Sequence, residues 1–77
     1  MQYHELIESK PDVLYGKPVI KGTRIAVDLI TEKLSLGESI DDLLLAYPHL
    51  RAVHIYACLA YATAVLRSEE VHYLKAS

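Results

Sequence analysis

The spacing of apolar residues changes character near residue 26 of this 77-residue chain. Ahead of that point "YHELIE" alternates loosely and predicts a short strand or extended arm, which "SKPD" interrupts. "KPVI" and "TRIAV", on either side of Gly22, are β-prone pieces long enough for a small ribbon and no more. A two-stranded ribbon is marginal alone in water, so it must pack on something. Beyond it the period becomes helical. Val27, Ile30 and Leu34 recur at i, i+3 and i+7 in "VDLITEKLSLG", and Leu29 widens the stripe. Asp28 lies in the first turn, where the helix dipole favours an anion, and Gly37 is placed to stop the helix. Ser39 with Asp42 reads as a capping box with Asp in the usual Glu place, opening a second helix through "IDDLLLAY". That helix must end ahead of Pro48, because the residue before a proline avoids the α region. "YPHL" is the turn, and a third helix is expected from about Arg51 to Arg67 or slightly beyond.

The third helix is apolar nearly all round. From Ala52 to Leu66 only His54 and Thr63 are firmly polar, a pattern of a helix buried on more than one side. Ile55, Leu59, Ala62 and Leu66 form the widest aliphatic stripe and are expected in the core. Val53, Ala57, Ala60 and Ala64 form a small-residue stripe that lets another helix approach closely. Arg51, His54, Cys58, Tyr61 and Val65 form a third face. A single chain of this size has too few elements to cover all three, which predicts a homodimer or an obligatory partner.

Composition reinforces that expectation. So short a chain is one domain, residues 1–77, and buries only about 60% of its unfolded surface. Its parts are an extended arm over 1–26, a helical core over 27–67, and a tail or helix extension over 68–77. One cysteine, Cys58, makes no internal disulfide, and no Cys/His set stands at zinc spacing, so neither a metal nor a cofactor is expected. An apolar content of 52% is high for a small, surface-rich chain. No apolar run approaches the roughly 20 residues of a membrane span, and the opening residues carry no signal core. A cytoplasmic protein is the resulting expectation.

Net charge is −2, which argues against generic polyanion binding, but the charges are unevenly placed. Between residues 9 and 24, Lys10, Lys17, Lys21 and Arg24 stand against Asp12 alone. Between 28 and 46, Asp28, Glu32, Glu38, Asp41 and Asp42 stand against Lys33. Such polarity can steer one face toward nucleic acid. The glycines of "YGKPVIKGTRI" do not make a phosphate loop: Gly16 and Gly22 are wrongly spaced, no lysine follows Gly22, and Pro18 removes a backbone donor. They read instead as turn residues. Arg24 has two readings, a phosphate contact or a clamp onto Asp28, Glu32 or Asp42, and the clamp is favoured. Lys17 and Lys21 are expected to be more exposed. Catalysis is not expected. Cys58 and His54 are four apart on one helix and can touch, yet a nucleophilic dyad also needs a cleft and an oxyanion site.

The remaining outline is helix, glycine, capped short helix, tight turn, longer helix. That is the order of a helix-turn-helix, whose last helix enters the major groove. On this reading the third face offers Arg51 and His54 to bases or phosphates, with Cys58 and Tyr61 beside them.

Several separated motifs then point to a family. Gly16-Lys17-Pro18, Gly22-Thr23-Arg24-Ile25, Gly37-Glu38-Ser39, Tyr47-Pro48-His49-Leu50 and Ala60-Tyr61-Ala62 together resemble the small prokaryotic domain-of-unknown-function family 433, over roughly residues 5–66. The resemblance implies a mainly α, homeodomain-like three-helix bundle with a helix-turn-helix and a short β segment in front. It also implies a type II antitoxin role beside a PIN-like ribonuclease toxin. The chain departs from the pattern at Arg51, where similar sequences carry Thr or another capping residue, leaving the third helix less firmly capped.

The expectation is therefore a dimeric antitoxin that neutralises a PIN-like ribonuclease and binds its own operator as double-stranded DNA. The alternative is an interaction module that pairs with a partner and leaves DNA alone. The DNA contacts expected are Lys17, Lys21, His49, Arg51 and His54. The partner or dimer interface is expected at Val53, Ala57, Ala60, Tyr61 and Ala64. Gly16, Gly22, Thr23, Arg24 and Pro48 are expected to hold the fold.

Overall fold

The ribbon and the helices meet through one strand pair. In the computed structural model, which describes residues 2–76 and the side chains of residues 2–68, β1 (Ile7–Glu8) runs antiparallel to β2 (Val19–Ile20). Ile7 pairs with Ile20 and Glu8 with Val19. β2 is held on its other side too, by an isolated bridge from Val19 to Ala26 and a 2.9 Å bond from the Ile20 N–H to the Ile25 carbonyl. "KPVI" is thus the middle of the ribbon. "YHELIE" gives less strand than its alternation suggests: Tyr3–Glu5 close into a 3-10 turn, and only Ile7–Glu8 stay extended. That turn places Tyr3 against the third helix, and the packing outweighs the weak alternation.

Local chemistry explains the helix ends. α1 (Val27–Ser35) begins at Ala26, whose side chain supplies no cap, so the ribbon supplies one: the Val27 N–H donates to the Pro18 carbonyl at 3.0 Å. α1 closes on Gly37 at φ 95°. There the Gly37 N–H reaches the Leu34 carbonyl and the Glu38 N–H the Lys33 carbonyl, the paired bonds of a glycine-terminated helix. α2 (Ile40–Ala46) carries the full capping box. The Asp42 N–H donates to the Ser39 Oγ at 3.0 Å, and the Ser39 N–H donates to Asp42 Oδ2 at 2.9 Å. Hydrogen bonding from Ser39, its backbone N–H first, holds the Asp42 carboxyl below its ordinary value of 3.8. α2 stops at Tyr47, ahead of Pro48, and α3 (Ala52–Ala76) follows the turn as a 25-residue helix. The segment expected as tail or extension continues α3 as far as Ala76.

Val19, Ile20, Ile30, Leu43, Ile55 and Cys58 are the largest fully buried side chains, drawn from the ribbon and all three helices. Each aliphatic among them is worth about 1.5–3 kcal/mol of burial. α1 buries the predicted stripe, with Val27 and Ile30 inside and Leu34 packed at its edge.

α3 is rotated from the expected orientation. Its inner face carries Ile55, Ala57 and Cys58, with Tyr61 packed at the margin, while Leu59 is 40% and Leu66 64% exposed. Leu59 and Leu66 are therefore not core residues. The side of α3 covered by α1 and by the Tyr3–Glu5 turn decides the matter. The Tyr3 ring stands edge-on to Tyr61, with centroids 5.6 Å apart.

Candidate functional site

The rotation of α3 removes most of the expected base-reading face. Cys58 is fully buried, Tyr61 is occupied by Tyr3, and His54 is half-buried. His54 has a structural task instead. Its Nδ1 accepts the Arg51 N–H at 2.9 Å, as the third residue of a capped helix does. This satisfies the N–H of Arg51 and gives the start of α3 the reciprocal half of a capping box. Arg51, His49 and Lys21 remain exposed.

The basic residues of the ribbon are also placed differently from expectation. Arg24 does not clamp α1 or α2: among the described residues it joins no ion pair. Lys17 takes Asp28 instead, at 3.0 Å, with both side chains more than half exposed. A surface pair of this kind is worth at most about 1 kcal/mol. The two partners lie close because the ribbon returns to the start of α1, a proximity that sequence spacing does not reveal.

The motif around Arg24 is a fixed turn. Gly22 has φ 76°, a left-handed value that suits glycine, and the Thr23 N–H closes the turn onto the Ile20 carbonyl at 3.0 Å. Thr23 Oγ1 donates to that same carbonyl at 2.7 Å and accepts the Ile25 N–H at 3.0 Å. The Gly22 N–H donates to Glu8 Oε2 at 2.9 Å, and Lys10 Nζ stands 3.8 Å from that oxygen. Gly16 is also left-handed, at φ 84°, as expected of a turn glycine. Leu14 and Tyr15 before it are left-handed as well, at φ 47° and 58°.

Two concavities follow from this geometry. One, of about 640 Å³, lies between the Gly22 turn and the α2–α3 turn, with Lys10, Arg24 and His49 around it and Val13, Ile25 and Tyr47 among its apolar lining. Lys10, Val13, Tyr47 and Glu8 were not singled out from the sequence as site residues; no local motif links residues 8–13 to 47–49. The other is a groove of about 390 Å³ between α1 and α3, where Pro18, Val27, Tyr61, Ala62, Val65 and Leu66 supply most of the wall.

The outer face of α3 continues from that groove. Tyr56, Leu59, Thr63 and Leu66 follow one another at spacings of 3, 4 and 3 residues, all exposed. Thr63 Oγ1 donates back to the Leu59 carbonyl at 2.8 Å, so its hydroxyl is satisfied within the helix. Val53, Ala60 and Ala64, expected at an interface, are partly exposed. Ala57, expected with them, is fully buried in the core and does not reach a partner. Tyr61, also expected there, is half-buried and lines the groove wall.

Cys58 offers no chemistry at this surface. Burial pushes its thiol up from 9.0 to about 11, opposite to what a nucleophile requires. Among the described residues, no helix is long and apolar enough to cross a membrane.

Among the described residues the arrangement is that of a mainly helical protein with three α-helices and a two-stranded sheet. The profile of a family described as "Protein of unknown function (DUF433)" matches residues 7–62, and the chain belongs to that family. A crystal structure of a DUF433 member from Anabaena variabilis ATCC 29413 superposes with a TM-score of 0.75 at 28% identity, covering 94% of this chain and 69% of that one. "Uncharacterized protein y4eO" of Sinorhizobium fredii (strain NBRC 101917 / NGR234) is 38% identical over 60 residues, or 78% of this chain. The match spans 27% of that relative's length.

Proposed function

We propose that this chain is an antitoxin-like interaction module that pairs through α3 with a second copy of itself and covers a nuclease partner with the adjoining groove. The observation that carries this reading is the Tyr56–Leu59–Thr63–Leu66 seam. Alternating steps of 3 and 4 are the repeat by which two helices pack along a shared line. The seam has no charge; of its two hydroxyls, that of Thr63 is already bonded within the helix and that of Tyr56 stands at the exposed end of a large ring. Val53, Ala60 and Ala64 flank it with small side chains that permit close approach. The family resemblance points to a PIN-like ribonuclease as the partner, and occlusion of its active site needs no chemistry from this chain.

The test is to read the gene beside this one, which on this proposal encodes a PIN-like nuclease, and to co-express the two. Growth arrested by the nuclease is restored by the chain, and the restoration is lost in Val65→Glu, which puts a charge in the groove. Restoration undiminished by that change, or no restoration by the unaltered chain, would overturn the reading.

A second reading retains a helix-turn-helix and operator DNA, and it is favoured by the exposure of Lys21, His49 and Arg51. With Cys58 and Tyr61 turned inward, these residues reach phosphates more readily than base edges. The reading predicts weak sequence preference and an affinity that falls steeply with salt. No detectable binding to the gene's own upstream DNA at low salt would sink it.

A further inference from the structure

The hollow between the Gly22 turn and the α2–α3 turn shares no lining residue with the groove used above. Its chemistry is mixed. Lys10, Arg24 and His49 bring cationic and N–H donors from three separate stretches of chain, while Val13, Ile25 and Tyr47 supply apolar surface. Its volume of about 640 Å³ falls in the range of about 300–1,000 Å³ usual for small-molecule sites. Glu8 is the acidic residue in the lining, and its Oε2 already accepts the Gly22 N–H and faces Lys10. Arg24 has no carboxylate partner among the described residues, and its backbone lies inside a turn fixed by both bonds of Thr23. An arginine rooted on a fixed turn and without an internal partner has its guanidinium available for an external anion. Its planar fork suits phosphate oxygens in particular.

We infer that this hollow binds a small phosphomonoester with an apolar or aromatic body, of which a nucleoside monophosphate is the simplest example. Lys10, Arg24 and His49 hold the phosphate, and Val13, Ile25 and Tyr47 cover the body. Phosphate is thus held by side chains at this motif, since the glycine spacing does not provide a backbone cradle.

Titration of the full chain by calorimetry or amide chemical shifts tests this with three probes: AMP, adenosine and inorganic phosphate. AMP should bind at least about tenfold more tightly than either half, because both sides of the hollow contribute. Arg24→Ala and Lys10→Ala should each weaken AMP by about tenfold, the loss of one charge-assisted contact. Lys33→Ala, which removes a cation paired with Glu38 elsewhere, should leave AMP unchanged. Circular dichroism establishes that each variant is folded, and shift changes should centre on residues 22–25 and 47–49. Binding of inorganic phosphate as tight as that of AMP would overturn the inference. So would AMP affinity indifferent to Arg24→Ala and Lys10→Ala, or no AMP binding at millimolar concentration.

Discussion

Replacing Thr23 with Val keeps the volume and β-branching of the side chain and removes only its hydroxyl. That oxygen makes two contacts, a 2.7 Å donation to the Ile20 carbonyl and a 3.0 Å acceptance from the Ile25 N–H. The two losses are unequal. The Ile20 carbonyl keeps the Thr23 N–H at 3.0 Å, so it is not orphaned. The Ile25 N–H loses the acceptor it has in this structure, in a part-buried position. Leaving such a donor unsatisfied costs about 1–3 kcal/mol, and the lost donation adds up to about 1 kcal/mol. A total near 2 kcal/mol lowers Tm by about 8–16 °C for a domain this small. Thermal melts followed by circular dichroism measure it, with Thr23→Ser as the control that keeps the oxygen and stays within about 1 kcal/mol of the parent. A Thr23→Val protein melting within about 2 °C of the parent would refute the claim that this hydroxyl fixes the turn.

Three further outcomes are expected. Tyr15→Asn should raise stability by about 0.5–1 kcal/mol, read from the urea midpoint: Tyr15 sits at φ 58° with its side chain wholly exposed, and Asn tolerates that backbone better. Cys58 should resist iodoacetamide at pH 8 in the native protein and react once unfolded, since a thiol at about 11 is thiolate to only about one part in a thousand there. Its folded value is raised, so its contribution to stability is complete below pH 9 and is lost as pH climbs toward 11, which an alkaline denaturation series detects. Ser39→Ala should cost about 1 kcal/mol by loss of the α2 cap. The Asp42 carboxyl is depressed first by the Ser39 backbone N–H, which alanine keeps. The stability it contributes, present above pH 3.8 and lost as pH falls through its folded value, is therefore largely common to the parent and Ser39→Ala. Urea melts at pH 7 and pH 2.5 should show both proteins weakened by acid and most of the Ser39→Ala cost retained.

Features governed by neighbouring residues were legible in the sequence. Ser39 with Asp42, the stop at Gly37, the break before Pro48 and the turn at Gly22 each depend on bonds spanning a few positions. Features governed by which surfaces meet were not. α3 offers apolar residues in nearly every direction, so its periodicity carried almost no information about which side faces α1. Tyr3, at the far end of the chain, helps cover the inner side, and its 3-10 turn replaces the strand that alternation suggested. The partner of Asp28 was likewise hidden, because Arg24 lies nearer to it in sequence than Lys17 does, and only the ribbon's path brings Lys17 to it. The cap on α3 illustrates both cases. Arg51 stands where a capping side chain was expected, and His54 supplies the other half of a capping box from inside the helix.

The central claim is that the outer seam of α3 is covered by a second copy of the chain. Sedimentation equilibrium at micromolar concentration tests it most directly, comparing the parent with a Leu59→Glu, Leu66→Glu double variant. Both side chains are exposed in the single chain, so the variant should keep the parent's circular dichroism spectrum. The account predicts a parent at twice 8.7 kDa and a folded variant at 8.7 kDa. A parent sedimenting as a single chain, or a variant that remains dimeric, would contradict it.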